Sequence, residues 1–358
     1  MRTIAIINQK GGVGKTTTTT NVGAALAAKG QRVLLIDLDP QAHLTINFGL
    51  EPDDDRDGIY GVLTDGTPLE QELVEVRENI ALVPSNIDLA AAELELVSVV
   101  GREVILRDAV RTVADRFDYL LVDCPPSLGV LTVNALTAVD EVFIPLQPHF
   151  LALQGLGKLM NDTIRLVTKR IHPGLRVSGV ILTMFEGGTR LAGEIVDDVR
   201  TFFDAARGTD CPWSDTIVFQ TMIRRNIKLA EAPSHGKTIF EYEPRCHGAE
   251  DYAALADEML AMMNVTAASE SVPNVAPPIA VARAGRPVKS ASKHEAATDD
   301  RGQRARATPS RTATIETIAS EAASSERETR DAGDESNLKL RESRSSASKA
   351  RVDLANSA

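Results

Sequence analysis

Gln9-Lys10-Gly11-Gly12-Val13-Gly14-Lys15-Thr16-Thr17 gathers glycines, lysines and hydroxyls into one short loop. Glycines let a backbone turn its N–H groups inward around an anion, and a helix starting at residue 15 adds the positive end of its dipole. A lysine directly before a hydroxyl residue offers a cation to the β- and γ-phosphates and an oxygen to Mg²⁺. Lys15 and Thr16 are the candidates for those roles, with Gly11, Gly12, Val13, Gly14 and Thr17 lining the cradle. The general pattern G-x-x-x-x-G-K-[ST] asks for glycine where this chain has Gln9, so the loop is a variant of it.

Two acidic motifs accompany the loop. Ile36-Asp37-Leu38-Asp39-Pro40-Gln41 and Leu120-Leu121-Val122-Asp123-Cys124-Pro125-Pro126-Ser127 each place an acid at the end of an apolar run. Carboxylates at the C-terminal edge of a parallel sheet face the ligand crevice. Asp37 is placed to support Mg²⁺ through water, and Asp123 to join its coordination shell. Asp39 is placed to position the attacking water or accept its proton, as phosphoryl transfer to water requires. A turn-capping role before Pro40 is the competing reading of Asp39. Cys124 reads as a small core residue.

The elements that must position these groups alternate in type. Strands are expected at 3–8, 32–37, 80–84, 119–123, 141–145, 176–183 and 216–219. Several are nearly continuous apolar runs, as strands buried on both faces are. Helices are expected at 15–29, 88–99, 103–116, 127–138, 151–170, 189–206 and 246–262, with Gly30 placed as a left-handed C-cap. The pattern implies an α/β, doubly wound, mostly parallel sheet flanked by helices over 1–263.

Beyond Tyr252 the 358-residue chain has no aromatic side chain, and Ser, Ala, Thr, Arg and Glu dominate from residue 267. Such a segment buries too little apolar surface to offset the entropy of ordering it, so 264–358 is expected to be a disordered low-complexity tail. Thirty-nine basic against 50 acidic residues give a net charge of −11, which argues against a wholly basic, nucleic-acid-coating surface but allows a local basic patch. Three scattered cysteines cannot frame a disulfide scaffold. No apolar run reads as a signal peptide or membrane span, so a cytoplasmic protein is expected.

The variant K-G-G-x-G-K-[ST], matched by Lys10, Gly11, Gly12, Gly14, Lys15 and Thr16, resembles the deviant Walker A motif of the ParA/MinD family of P-loop ATPases. The D-x-D-P-Q and D-x-P-P segments resemble the same family, in the same order. The resemblance covers 1–263 and implies ATP and Mg²⁺ as cofactors. It implies that Lys10 reaches across a homodimer to the partner's ATP, making Lys10, Lys15 and Asp39 the catalytic set. Thr16, Asp37 and Asp123 are the implied metal residues.

The run Thr221 to Gly236 is similar to the family's segment near the nucleotide base. Resemblance also implies non-specific contacts to double-stranded DNA from this region, for which Arg190, Arg200, Arg224, Arg225 and Lys228 are the candidates. His149 stands where the family usually has an acid, and reads as a surface histidine. With the first strand starting at residue 3, a preceding helix-turn-helix is not expected, which is similar to the short chromosomal Soj/ParA kind. That kind implies a ParB-like partner, a nucleoid location and no membrane anchor. A MinD-like or other cargo-positioning, cell-cycle regulatory ATPase is the alternative.

Overall fold

Leu34 and Ile36 face one side of the sheet while Val33 and Leu35 face the other, and all four side chains are fully buried. The same division separates Leu120 and Val122 from Tyr119 and Leu121. Continuous apolar runs arise here because successive side chains alternate between two helix-covered faces. A computed structural model describes residues 1–52, 56–149, 151–187 and 190–270, with backbone alone for Arg190, Leu191 and 263–270.

The strands are β1 (Arg2–Ile6), β2 (Val33–Asp37), β3 (Val74–Arg77), β4 (Ile80–Val83), β5 (Tyr119–Asp123), β6 (Glu141–Leu146), β7 (Arg176–Leu182) and β8 (Ile217–Val218). They form one sheet in the order β3-β4-β2-β5-β1-β6-β7-β8. Every neighbouring pair is parallel except β3 with β4. β1 lies between β5 and β6, so the order reverses around it and a crevice opens at the carboxyl ends of β1, β5 and β2.

Each expected strand is present within a residue or two at its ends, and β3 is the addition. Its sequence, Val-Glu-Val-Arg, is half polar, as suits a sheet edge, and a tight turn at Asn79 (φ 61°) pairs it with β4. The expected helix 151–170 runs as Ala152–Lys158, a π-helical stretch Leu159–Ile164, and Arg165–Arg170. The last helix is His247–Glu270, passing the expected boundary at 263; residues 271–358 of the expected tail lie outside the described residues.

The helix Lys15–Ala28 is a poor helix by propensity, with five consecutive threonines at its start. Tertiary contacts hold it. Thr18 Oγ1 meets the Tyr252 hydroxyl at 3.2 Å, and Asn47 Nδ2 donates to Thr20 Oγ1 at 2.8 Å. Asn21 Oδ1 accepts the Ile239 N–H at 2.8 Å. Gly23 lets the helix press onto β2: a Cβ there would stand 2.9 Å from Leu35 Cδ2.

Candidate nucleotide-binding site

The glycine loop joins β1 to the helix Lys15–Ala28. Gly12 (φ +72°) and Gly14 (φ +87°) take the left-handed backbone that side chains resist. Gln9 is not among the residues of positive φ, so the variant position does not need glycine's backbone freedom, although the buried Gln9 Nε2 finds no hydrogen-bond partner. Thr183 Oγ1 at the end of β7 donates to the Val13 carbonyl at 2.8 Å, and Asn8 Nδ2 donates to the Pro145 carbonyl at 2.8 Å. The loop is thereby tied to the strands on one side of β1.

Below the loop, Asp37 and Asp123 are register partners at the ends of β2 and β5, and Asp123 is also the partner of Ile6 at the end of β1. Both carboxylates are buried. Thr16 Oγ1 donates to Asp123 Oδ2 at 2.6 Å, and Thr19 Oγ1 to Asp123 Oδ1 at 3.3 Å. Asp37 Oδ2 accepts both the N–H and the hydroxyl of Thr45 at 2.8 Å, and its Oδ1 accepts the Asp39 N–H at 3.2 Å.

Burial pushes the carboxyl groups of both Asp37 and Asp123 up; the charge of Asp37 raises Asp123 further, and that of Asp39 raises both. The hydroxyl of Thr16 and the buried ammonium of Lys15 pull Asp123 back. Beyond Lys15, the causes of the two shifts include, among the described residues, no second cation to offset the other carboxylate. Among the described residues no cluster of three or more acids, histidines or cysteines forms a metal cage. Mg²⁺ typically takes one or two carboxylates and completes its shell with phosphates and waters, so Thr16, Asp37 and Asp123 fit that ion.

Asp39 is largely buried, and its Oδ1 accepts the Gln41 N–H at 3.0 Å. The turn reading of this residue is therefore real, but it uses one carboxylate oxygen. Burial pushes the Cys124 thiol well up, which leaves an inert core side chain.

Comparison with known proteins decides the lineage. Residues 1–177 match the family model described as an AAA domain. The sporulation initiation inhibitor protein Soj of Bacillus subtilis is 46% identical over 259 residues, which cover 72% of this chain and 98% of that protein. The chromosome partitioning protein ParA of Myxococcus xanthus is 43% identical over 261 residues, covering 72% of this chain and 88% of that one. Among solved structures, cobyrinic acid a,c-diamide synthase from Mycobacterium smegmatis, with bound ADP and magnesium, superimposes with a TM-score of 0.63. It is 35% identical, over 74% of this chain and 96% of that one.

The chain belongs to the ParA/MinD family of ATPases, on its Soj/ParA side.

Several supports of this ParA/MinD site carry no signal in the sequence. Thr45 orders Asp37 and also accepts the Ser85 N–H at 2.9 Å, while Ser85 Oγ donates to the Asp39 carbonyl at 2.9 Å. The short helix His43–Asn47 that presents Thr45 was not expected. Beside the loop lies a pocket of about 360 Å³, lined by Gly14, Thr17, Met184, Ile223, Asn226 and Ile227 among others. It contains part of the Thr221–Gly236 run expected near the base.

The five basic candidates are not brought into one cluster of free charges. Arg224 forks onto Asp251, with Nε and Nη2 contacts of 2.6–3.0 Å, and its N–H also donates to Asp251 Oδ2 at 2.9 Å. Asp251 is buried, so Arg224 serves the fold. Arg225 pairs with Glu186 at 2.7 Å in an exposed bridge, and Lys228 with Glu231 at 2.8 Å. Arg200 lies 3.9 Å from Asp197, and the side chain of Arg190 is outside the described residues. His149, expected at the surface, is half-buried and meets Lys10.

Proposed function

We propose that the chain is a chromosome- or plasmid-partitioning ATPase. Two copies enclose Mg-ATP, the dimer holds duplex DNA without sequence preference, and a ParB-like partner stimulates hydrolysis and release. The observation that carries the reading is the Thr16–Asp123–Asp37 group beneath a glycine loop and a buried Lys15. It offers adjoining places for a polyphosphate and a hydrated divalent cation. The names borne by relatives at 43–46% identity support the cellular role.

Backbone N–H groups from Gly11 to Thr17 and the start of the helix Lys15–Ala28 take the phosphates, and Lys15 neutralises the β- and γ-oxygens. Thr16 and Asp123, with Asp37 acting through water, would hold Mg²⁺, which would supply charge neutralisation across the phosphates. Asp39 orients the water and accepts its proton. Lys10 of the second copy adds a cation at the γ-phosphate, where a dry interface strengthens it. The pocket beside Met184 and Ile223 receives the base.

DNA phosphates are met by Arg190, Arg200, Arg225 and Lys228; the acidic partners of the last three, Asp197, Glu186 and Glu231, are exposed enough to exchange for phosphate. Arg224 contributes by fixing the backbone beside Arg225. Such contacts carry no sequence information and weaken steeply with salt. The ATPase domain is 1–263, with the helix His247–Glu270 leading into the low-complexity tail. The protein is cytoplasmic and nucleoid-bound; no helix of the described residues is long and apolar enough to cross a membrane.

Co-sedimentation of the full chain with DNA tests the proposal. Retention in ATP but not ADP, falling as salt rises, is the expected result. Equal retention in both nucleotides, or none in either, contradicts it.

A further inference from the structure

Lys10 is exposed in the single chain, and its ammonium meets Nε2 of His149 in the segment after β6. The other ring nitrogen is engaged too, because the Leu151 N–H donates to His149 Nδ1 at 3.1 Å. Asn8 ties the same two segments together, accepting the Lys10 N–H at 3.0 Å while donating to the Pro145 carbonyl at 2.8 Å. The ring therefore sits between two donors, an ammonium and a backbone N–H.

A neutral imidazole has one accepting nitrogen and one N–H. His149 can satisfy one of its two donors at a time. With the proton on Nδ1 it accepts Lys10 and gives up Leu151; with the proton on Nε2 it keeps Leu151 and loses its hold on Lys10. Protonated at both nitrogens, it accepts neither and sets a like charge against the ammonium.

We propose that His149 is a positioning residue for Lys10, whose neutral ring holds the lysine within its own chain and whose protonation frees it for a second copy's nucleotide. The inference rests on the reading that Lys10 serves the partner's ATP. A carboxylate at 149 would hold the lysine across the whole neutral range, whereas a histidine makes the hold conditional. Burial, and then the Lys10 charge, push the ring below the usual imidazole value, so release belongs to mildly acidic conditions. Lys10 is the charge that bears on this ring among the described residues; Asn8, Pro145 and Leu151, which frame the contact, are uncharged.

Sedimentation velocity of the full chain in Mg-ATP, from about pH 8 down to about pH 5.5, tests this through the dimer dissociation constant. The wild type should dimerise roughly 3- to 10-fold more tightly at the acidic end, the range of one ordinary, solvent-exposed hydrogen bond. His149→Phe should be tight throughout and flat with pH. His149→Gln, which keeps an acceptor without titrating, should be flat and weak. A flat wild-type profile, or a wild-type slope retained in both variants, overturns the proposal. Lys10→Ala tells the two failures apart. If it dimerises and hydrolyses like the wild type, the role of Lys10 itself fails. If it loses the dimer while the His149 variants keep the wild-type slope, the inference about His149 alone fails.

Discussion

Asp37 and Asp123 end two neighbouring parallel strands in direct register, and both carboxylates are buried, with Asp123 accepting the hydroxyl of Thr16 at the end of the glycine loop. Two like charges in a dry site are costly unless a cation joins them. That requirement links the sheet to the proposed chemistry, because β1 delivers the loop, β2 and β5 deliver the acids, and a cation placed among them would offset their charge.

The pair makes the nucleotide-free protein sensitive to pH. Carboxyl groups raised in the folded state bind more protons there than in the unfolded chain, so stability falls as pH rises through the interval between the two values. The interval runs from the ordinary carboxylate range to about 7 for Asp37 and about 8 for Asp123. Urea unfolding in EDTA should therefore show stability dropping by several kcal/mol, up to about 5, from about pH 5.5 to about pH 8. Asp37→Asn should flatten the drop, as should Mg-ATP. Stability that rises over this range would contradict the placement of the pair.

Lys15→Ala should weaken ATP binding by about 10- to 100-fold or more, the worth of a charged hydrogen bond in a buried site. Calorimetric titration with a non-hydrolysable analogue reads the change. Affinity equal to the wild type's would remove Lys15 from the phosphates.

Asp39→Ala should lower kcat by about 100-fold or more while leaving ATP bound, as loss of a proton acceptor does. Its Asx turn onto Gln41 adds a minor stability loss of about 1 kcal/mol. Single-turnover hydrolysis separates the two effects. Normal turnover with lowered stability would reduce Asp39 to its turn.

Arg224 and Arg225 should behave differently although they are adjacent. Arg224→Ala strands the buried Asp251 and should cost about 1–3 kcal/mol, read as a fall of several degrees in Tm. Arg225 sits in an exposed bridge, so Arg225→Glu should leave Tm nearly unchanged and reduce DNA retention. Undiminished retention at low salt would move the DNA surface away from Arg225.

The sheet was legible because its strands advertise two-sided burial: Val33 to Ile36 and Tyr119 to Val122 leave no room for another reading. The loop and the three acids were legible because their chemistry demands particular residue types at strand ends. β3 was hidden because an edge strand tolerates Glu75 and Arg77, and its pairing depends on a turn at Asn79. Thr45 was hidden because a threonine that orders an acid eight residues away looks like any other threonine. Arg224 misled for a related reason: sequence counts charges, whereas Asp251, 27 residues on, decides whether that charge is free.

The central claim is that ATP joins two copies through Lys10. Sedimentation equilibrium of the full chain and of Lys10→Ala, in Mg-ATP and in Mg-ADP, tests it most directly. The wild type should be a dimer in Mg-ATP and a monomer in Mg-ADP, and Lys10→Ala should lose the dimer and its hydrolysis together. A wild type that stays monomeric in both nucleotides, with a variant indistinguishable from it, would contradict the account.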